Sequence, residues 1–185
     1  MLIYIHGFNS SPASFKAGLL RERLAKNGRA DKFVAPALPH SPAAAAALLA
    51  EIARVHPRAV LVGSSLGGYY ATWVAEKFGL RAVLVNPAVR PYELLAGYVG
   101  PQKNLHTAKD YDFTAQHVAE LRALEIEAIT PEHYLLMVAT DDDVLDYRQA
   151  VDKYRGAQQL VIQGGDHGFS DFGDYLDRVL AFAGM

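Results

Sequence analysis

Short apolar runs alternate with longer amphipathic segments along most of this chain. The runs predict six strands, near residues 2–5, 33–35, 60–62, 82–85, 134–139 and 160–162. Between the strands, apolar residues recur at helical three- and four-residue spacings, as at Phe172, Tyr175, Leu176, Val179 and Leu180. Strands that alternate with helices are typical of a parallel sheet covered on both faces. The pattern therefore predicts an α/β fold with a mostly parallel sheet of about six strands.

One stretch, residues 86–131, interrupts this alternation, because it separates two strands by more than forty residues. Its helical candidates are residues 91–99 and 114–124. An insertion of this length is often a lid or a binding segment, and it would leave the sheet at the carboxyl ends of the strands, where open α/β sheets bind ligands. Its apolar residues either line an acyl pocket or pack the insertion onto the body: Tyr92, Leu94, Leu95, Tyr98 and Val99.

Length and composition narrow the class of protein. The chain has 185 residues, of which 51% are hydrophobic, so we expect a single domain over residues 1–185 with the lid-like insertion inside it. With 18 basic and 20 acidic residues, the formal charge of −2 gives no electrostatic reason to expect a nucleic-acid or membrane partner. The chain has no cysteine, which excludes disulfides and thiolate metal sites and is compatible with a reducing compartment.

The first apolar run, at residues 2–5, is too short for a signal peptide and has no basic segment before it. No run approaches the roughly 18 apolar residues that a membrane span needs. We therefore expect a cytoplasmic protein, and the sequence leaves its oligomeric state open.

A serine stands in a glycine-flanked turn directly after the third predicted strand. The sequence there is Gly63-Ser64-Ser65-Leu66-Gly67, a G-x-S-x-G pattern, and a helix-like segment follows. In a nucleophile elbow this arrangement exposes the serine Oγ above the sheet, and the glycines leave room for a strained turn. The pattern predicts Ser65 as a nucleophile, although taken alone such a turn can also be purely structural.

An acidic cluster follows the fifth predicted strand, and one of its carboxylates could orient a histidine. Hydrolases commonly place this acid in a D-x-V pattern, which selects Asp142 and leaves Asp141 and Asp143 as its neighbours. Asp146 is then a candidate helix cap. The cluster could instead bind a divalent cation, form a solvated turn, or supply an aspartate nucleophile to a magnesium-dependent phosphotransferase.

A glycine-rich turn after the last strand carries the candidate base. It reads Gly164-Gly165-Asp166-His167, and His167 fits the general base that takes the proton of Ser65. Asp142 would fix the tautomer of this imidazole and stabilise its protonated form. The order Ser65, Asp142, His167 is the order found in α/β-hydrolases, and it is more specific than any single motif.

Acyl transfer also needs donors for the developing oxyanion. We expect one from the backbone N–H of Leu66, directly after the nucleophile. The other candidate is the backbone N–H of Phe8, since His6-Gly7-Phe8 follows the first strand where lipases and esterases carry their HG motif. His6 itself would brace that loop.

Five stretches carry a wider resemblance: residues 4–12 (YIHGFNSSP), 63–69 (GSSLGGY), 85–91 (VNPAVRP), 144–147 (VLDY) and 164–167 (GGDH). On these stretches the chain resembles the α/β-hydrolases and, among them, the small bacterial YqiA-like esterases. The resemblance implies a compact α/β-hydrolase fold that omits the first strands of larger hydrolases and acts on carboxylic esters or acyl thioesters. Where that family has a segment similar to Thr-Gly-Asp-Glu, this chain has Thr140-Asp141-Asp142-Asp143, so the acid falls on Asp142 with Asp141 as a second candidate.

Together these residues predict a serine hydrolase that acts on a small acyl ester or thioester through an acyl-enzyme. This mechanism requires no cofactor and no metal ion. The alternative is a binding protein that keeps the fold without turnover. At the start of the insertion, Asn86 and Arg90 could contact a substrate carboxylate or phosphate, but a structural role is favoured for both.

Overall fold

The computed structural model describes residues 1–106 and 108–185, so Thr107 of the insertion lies outside the described residues. The strands are β1 (Leu2–Ile5), β2 (Phe33–Val34), β3 (Val60–Ser64), β4 (Arg81–Val85), β5 (Gly100–Lys103), β6 (Asp110–Phe113), β7 (Tyr134–Ala139) and β8 (Gln158–Ile162). The α-helices are α1 (Phe15–Lys26), α2 (Pro42–Val55), α3 (Leu66–Phe78), α4 (Pro91–Leu95), α5 (Ala115–Arg122), α6 (Tyr147–Lys153) and α7 (Leu176–Phe182).

Six of the strands form one sheet in the order β2-β1-β3-β4-β7-β8, and every neighbouring pair is parallel. Successive side chains of a strand point to opposite faces, so each buried strand contributes side chains to two hydrophobic cores, one on each face of the sheet. In β1, Ile3 and Ile5 pack with α2 and α3, whereas Leu2 and Tyr4 pack with α1 and α7. The predicted parallel sheet with helices on both faces is confirmed.

The register of the sheet brings the loops that carry the candidate chemistry to one edge. Ile5, the last residue of β1, pairs with Gly63 of β3, and Ser64 pairs with Val85 at the end of β4. Ala139 and Ile162 pair in the same way at the ends of β7 and β8. Because these strands are parallel, the loops that follow them all leave at their carboxyl ends, where such sheets bind ligands.

The insertion differs in part from its prediction. Its helices are confirmed but shorter, because residues 96–98 form a 3-10 turn after α4 and Thr114 is the N-cap of α5, accepting the N–H of His117. Between these helices, β5 and β6 form an antiparallel hairpin that the sequence did not predict. The β6 sequence Asp-Tyr-Asp-Phe alternates polar and ring side chains, the signal for a half-buried strand. The Gly100-Pro101 pair obscured it, since glycine and proline are disfavoured within strands.

Within the described residues, no helix combines the length and the apolar character that crossing a membrane would require.

Candidate active site

Ser65 occupies the turn between β3 and α3 with the backbone angles φ 54° and ψ −122°. Residues other than glycine rarely adopt such a positive φ, and the surrounding structure must hold it in place. Here the Ser65 N–H donates to the Val85 carbonyl at 3.1 Å, and the Ser65 carbonyl accepts from Gly68 at 2.9 Å and from Ala88 at 3.1 Å. These bonds to β4, α3 and the start of the insertion fix the strained turn.

The glycines on either side of Ser65 are needed for close packing. A Cβ atom on Gly63 would lie 2.3 Å from the carbonyl oxygen of Gly67, and one on Gly67 would lie 2.0 Å from the carbonyl oxygen of Ile5. Both positions are blocked by backbone, which cannot give way as a flexible side chain can. The strand and the helix therefore approach each other only because both residues lack side chains.

The structure brings the side chains of Ser65, His167 and Asp142 into one hydrogen-bonded chain. His167 Nε2 lies 3.1 Å from Ser65 Oγ, and its Nδ1 lies 2.8 Å and 3.0 Å from the two carboxylate oxygens of Asp142. An ionised carboxylate only accepts hydrogen bonds, so Nδ1 carries the proton and Nε2 is left to accept the Ser65 hydroxyl. These distances are within the reach expected of a nucleophile, a base and an orienting acid.

Asp142 is held as an anion under His167. Only 2% of its side chain is exposed, while Asp141 accepts a side-chain bond from the adjacent Thr140 hydroxyl at 3.2 Å. Burial alone would raise the pKa of the Asp142 carboxyl, but hydrogen bonds from His167 and from the N–H groups of Leu145 and Val144 outweigh it. The pKa therefore lies below its ordinary value of 3.8.

The loop that carries His167 is anchored by two side chains. The Asn86 amide donates to the carbonyls of Asp166 at 3.0 Å and His167 at 3.2 Å, while its oxygen accepts the Ala139 N–H at 2.9 Å. Lys16, on α1, donates to the carbonyl of Gly168. The structural role favoured for Asn86 is therefore present, and the part played by Lys16 was missed because a single lysine in a helix gives no sequence signal.

The His6-Gly7-Phe8 turn lies against the nucleophile. A Cβ atom on Gly7 would be 3.2 Å from the Cβ of Ser65 and 3.7 Å from its Oγ. The His6 Nε2 accepts the N–H of Leu38 at 3.2 Å, so its Nδ1 carries the proton and donates to the Gly7 carbonyl at 3.0 Å. Burial lowers the pKa of His6, which favours this neutral form. Leu66 is the first residue of α3, where an N–H has no acceptor within the helix.

The hairpin packs over the turn that follows Phe8. Asn9 has a φ of 53°, and its side chain accepts from the Tyr111 hydroxyl at 2.7 Å and donates to Gln102 at 3.2 Å. The Phe8 ring contacts Phe113 edge-on, with the ring centroids 5.3 Å apart. The β5–β6 hairpin thus forms one side of the candidate site.

A cavity of about 450 Å³ opens beside this turn. Its walls come from the loop after β1, the loop before α2, the start of α3 and the hairpin, and they include Phe8, Leu38, Leu66, Tyr70 and Tyr111.

None of the insertion residues suggested as an acyl pocket lines this cavity. Tyr92 and Leu95 are instead buried in the core, and Leu94, Tyr98 and Val99 are exposed. The alternative weighed for them, packing of the insertion onto the body, therefore holds for Tyr92 and Leu95. The suggested acyl pocket stays untested for the exposed residues, of which Tyr98 contacts the Phe8 ring edge-on with the centroids 6.0 Å apart.

Polar groups elsewhere at this edge are mostly engaged with one another. Arg90 lies 3.9 Å from both Glu93 and Glu125, in loose and exposed ion pairs of the structural kind favoured by the sequence. Among residues 1–106 and 108–185, no group of three or more acidic or histidine side chains is arranged to hold a metal ion.

The sequence as a whole matches a known family. Residues 1–184 match the sequence model of UPF0227, which is described as an uncharacterised protein family. The chain belongs to the UPF0227 family. UPF0227 protein YcfP of Salmonella paratyphi A is 25% identical over 190 residues, which cover 98% of each chain. The resemblance to YqiA-like proteins is confirmed at the level of the family.

Solved structures show the fold that this UPF0227 chain shares. Mouse alpha/beta hydrolase domain-containing protein 10 is similar with a TM-score of 0.70 and 16% identity, covering 97% of this chain and 89% of its own. The esterase domain of a Rhodothermus marinus protein gives a TM-score of 0.69 and 16% identity, covering 98% and 85%. The chain therefore has the α/β-hydrolase fold, as the order of its motifs predicted.

Proposed function

We propose that this protein is a serine hydrolase that cleaves carboxylic esters or acyl thioesters by two-step acyl transfer. The observation that carries the proposal is the 3.1 Å contact between Ser65 Oγ and His167 Nε2, with Asp142 bound to the opposite ring nitrogen. A serine hydroxyl is a weak nucleophile unless a positioned base accepts its proton. The contact supplies that base, and Asp142 keeps it in the required tautomer.

In the first step, Ser65 Oγ attacks the substrate carbonyl carbon while its proton moves to His167 Nε2. The carbonyl oxygen becomes an oxyanion, which the backbone N–H groups of Phe8 and Leu66 would stabilise, each donor lowering the barrier by about 3 to 4 kcal/mol. Collapse of this intermediate breaks the bond to the leaving oxygen or sulfur, which takes the proton from His167. The products of this step are the free alcohol or thiol and Ser65 as an acyl ester.

In the second step, water attacks the acyl-enzyme and gives a proton to His167 Nε2. The second intermediate collapses to release the carboxylic acid, and His167 returns the proton to Ser65 Oγ. Asp142 remains ionised throughout, because the hydrogen bonds that lower its pKa favour the anion beside a transiently positive imidazole.

The fold is compatible with this proposal. The Rhodothermus marinus domain is described as an esterase, but at 16% identity the comparison bears on the fold alone. The support for a serine mechanism comes from the strained turn at Ser65 and from the side chains gathered around it. A small-molecule substrate fits the size of the adjacent cavity, about 450 Å³.

The test is the intact mass of the protein after brief exposure to a small fluorophosphonate, which reacts with an activated serine whatever the substrate is. We expect a single adduct on the wild type and none on Ser65→Ala. Ser64→Ala is the matched control, since it removes the adjacent hydroxyl and should still be labelled. Absence of an adduct on the folded wild type would refute the serine mechanism and favour the alternative of a binding protein without turnover.

A further inference from the structure

The 450 Å³ cavity adjoins the loop after β1 and the start of α3, which flank the nucleophile, while Ser65 itself is not part of its lining. Both candidate oxyanion donors, Phe8 and Leu66, line it, whereas neither His167 nor Asp142 does. The leaving-group oxygen of a substrate must come within hydrogen-bond reach of His167 Nε2 to receive its proton. A group that extends into the cavity therefore points away from His167, which is the direction of the acyl chain.

Tyr70 contributes an unusual feature to this cavity. The residue lies one helical turn after Leu66 and is only 3% exposed, yet it lines the cavity wall. In the part of the chain that the structure describes, its hydroxyl makes no hydrogen bond. The hydroxyl oxygen is open to the cavity, so water or a bound group there can accept its proton.

The neighbouring residue shows the ordinary arrangement. Tyr69 is also 3% exposed, but its hydroxyl donates to the carbonyl of Leu121 at 2.8 Å. Burial strongly raises the pKa of Tyr70, so its side chain remains a neutral phenol with a proton to donate. Tyr70 can therefore donate to an oxygen of a ligand.

Some polar groups near the hairpin wall are hydrogen-bonded to each other. The Tyr111 hydroxyl donates to Asn9, and the Asn9 amide donates to Gln102. The remaining contact surface includes the apolar side chains of Leu38 and Leu66. The cavity lining thus combines apolar side chains with polar ones, which also include His40, Lys109 and Asp110, and the Tyr70 hydroxyl is open to a group bound there.

We propose that this cavity binds the acyl group of the substrate, and that the preferred acyl group is compact and carries an oxygen atom that accepts a hydrogen bond from Tyr70. The chemical class is a short oxygen-substituted acyl group, in contrast to a plain alkyl chain. This inference rests on the proposed serine-hydrolase function. It adds a specificity residue that lies outside the Ser65, His167 and Asp142 chain.

The test compares pairs of 4-nitrophenyl esters that differ only in one ketone oxygen: pentanoate with 4-oxopentanoate, and hexanoate with 5-oxohexanoate. Each kcat/KM is divided by the spontaneous hydrolysis rate of the same ester, which removes the intrinsic effect of the ketone. For at least one pair, we expect the wild type to favour the oxo ester by about 5- to 10-fold, the size of one net hydrogen bond. In Tyr70→Phe this ratio should fall to about one, with the plain ester changed by less than about twofold.

Tyr69→Phe is the matched control. It removes a buried hydroxyl at the adjacent position, so it should lower the melting temperature and leave the ratio of oxo to plain ester as in the wild type. A ratio near one for both pairs in the wild type, or a ratio that survives in Tyr70→Phe, would overturn the inference. The inference would also be overturned if Tyr70→Phe lowered kcat/KM selectively for esters that carry the extra oxygen in the alcohol part. The cavity would then hold the leaving group.

Fluorophosphonate labelling separates these failures from failure of the proposed function. A labelled wild type that hydrolyses plain and oxo esters equally well retains the serine mechanism and refutes only the role of Tyr70. A wild type that is neither labelled nor active on any ester refutes both. Labelling of Tyr70→Phe at the wild-type rate would show that the substitution leaves Ser65 reactive.

Discussion

The side-chain amide of Asn86 lies 3.2 Å from the backbone carbonyl oxygen of His167 and donates a hydrogen bond to it. Asn86 directly follows β4, while His167 lies in the loop after β8, so this bond joins two segments separated by 81 positions along the chain. The same amide also reaches the Asp166 carbonyl, and its oxygen holds the N–H of Ala139 at the end of β7. Asn86 thus sets the position of the His167 loop relative to the sheet.

This arrangement predicts that Asn86 acts as a positioning residue. Its φ of 40° is tolerated by glycine, so Asn86→Gly removes the amide without adding backbone strain. We expect kcat to fall by about 10- to 100-fold with KM nearly unchanged, because displacement of a catalytic group by about 1 Å is costly. Asn86→Asp keeps an acceptor for Ala139 but loses the donor, and it should show the same loss.

Steady-state kinetics on an active ester and the rate of fluorophosphonate labelling test this prediction, and both rates should fall by the same factor. The control is Tyr134→Phe, which removes a partly buried hydrogen bond to Glu76 at the opposite end of β7. It should lower the melting temperature without changing kcat. If Asn86→Gly lowered the melting temperature as much as Tyr134→Phe but kept the wild-type kcat, Asn86 would have only a structural role.

The assignment of the acid predicts different effects for neighbouring aspartates. Asp142→Asn leaves His167 without a carboxylate acceptor and favours the wrong tautomer, so kcat should fall by about 10³- to 10⁴-fold. Asp141→Asn changes a carboxyl whose side-chain bond is to Thr140, and its kcat should stay near the wild-type value. Ester hydrolysis by the two purified variants measures the difference, and the reverse ranking would move the acid to Asp141.

Local patterns were enough to predict most of the fold. The elbow at Ser65 could be read from a single pentapeptide, because strand, turn and helix are contiguous there. The D-x-V register also selected Asp142, which lies 25 positions before the histidine it contacts. In a parallel sheet, residues that directly follow the strands meet at one edge, so the position after a strand carries spatial information.

Contacts between distant segments could not be predicted in this way. The bond from Lys16 joins residues 152 positions apart, and nothing in the sequence around Lys16 indicates its partner. The cavity could not be predicted for the same reason, since Leu38, Tyr70 and Tyr111 come from three separate segments and meet only through packing. The hairpin that contributes Tyr111 was missed because Gly100-Pro101 suggested a turn at the position where β5 begins.

The close approach of β1 and α3 predicts a large effect from a single methyl group. In Gly67→Ala the new Cβ would lie 2.0 Å from the Ile5 carbonyl oxygen, so the helix or the strand must move. We expect the free energy of unfolding to fall by about 3 kcal/mol or more. Gly18→Ala is the control, because a Cβ there meets nothing within 4 Å and lies within α1, where alanine should stabilise by about 0.5 to 1 kcal/mol. Urea unfolding measures both changes, and equal small effects would mean that the elbow is loosely packed.

The lowered pKa of Asp142 predicts how stability changes in acid. In the folded protein this pKa lies below 3.8, the ordinary value that the unfolded chain should show. Between the two pKa values the unfolded chain binds more protons, so the free energy of unfolding rises with pH. The contribution of Asp142 is therefore fully present above about pH 4 and is lost as the pH falls through the folded pKa.

Asp142→Asn should remove this contribution, while Asp141→Asn serves as the neighbouring control. We expect the free energy of unfolding, measured in urea from pH 6 down to pH 3, to fall less steeply below pH 4 in Asp142→Asn than in the wild type. The slope cannot differ by more than one proton, because a single carboxyl has been removed. Parallel curves for the wild type and Asp142→Asn would mean that the bonds from His167, Val144 and Leu145 do not favour the ionised carboxylate of Asp142 in solution.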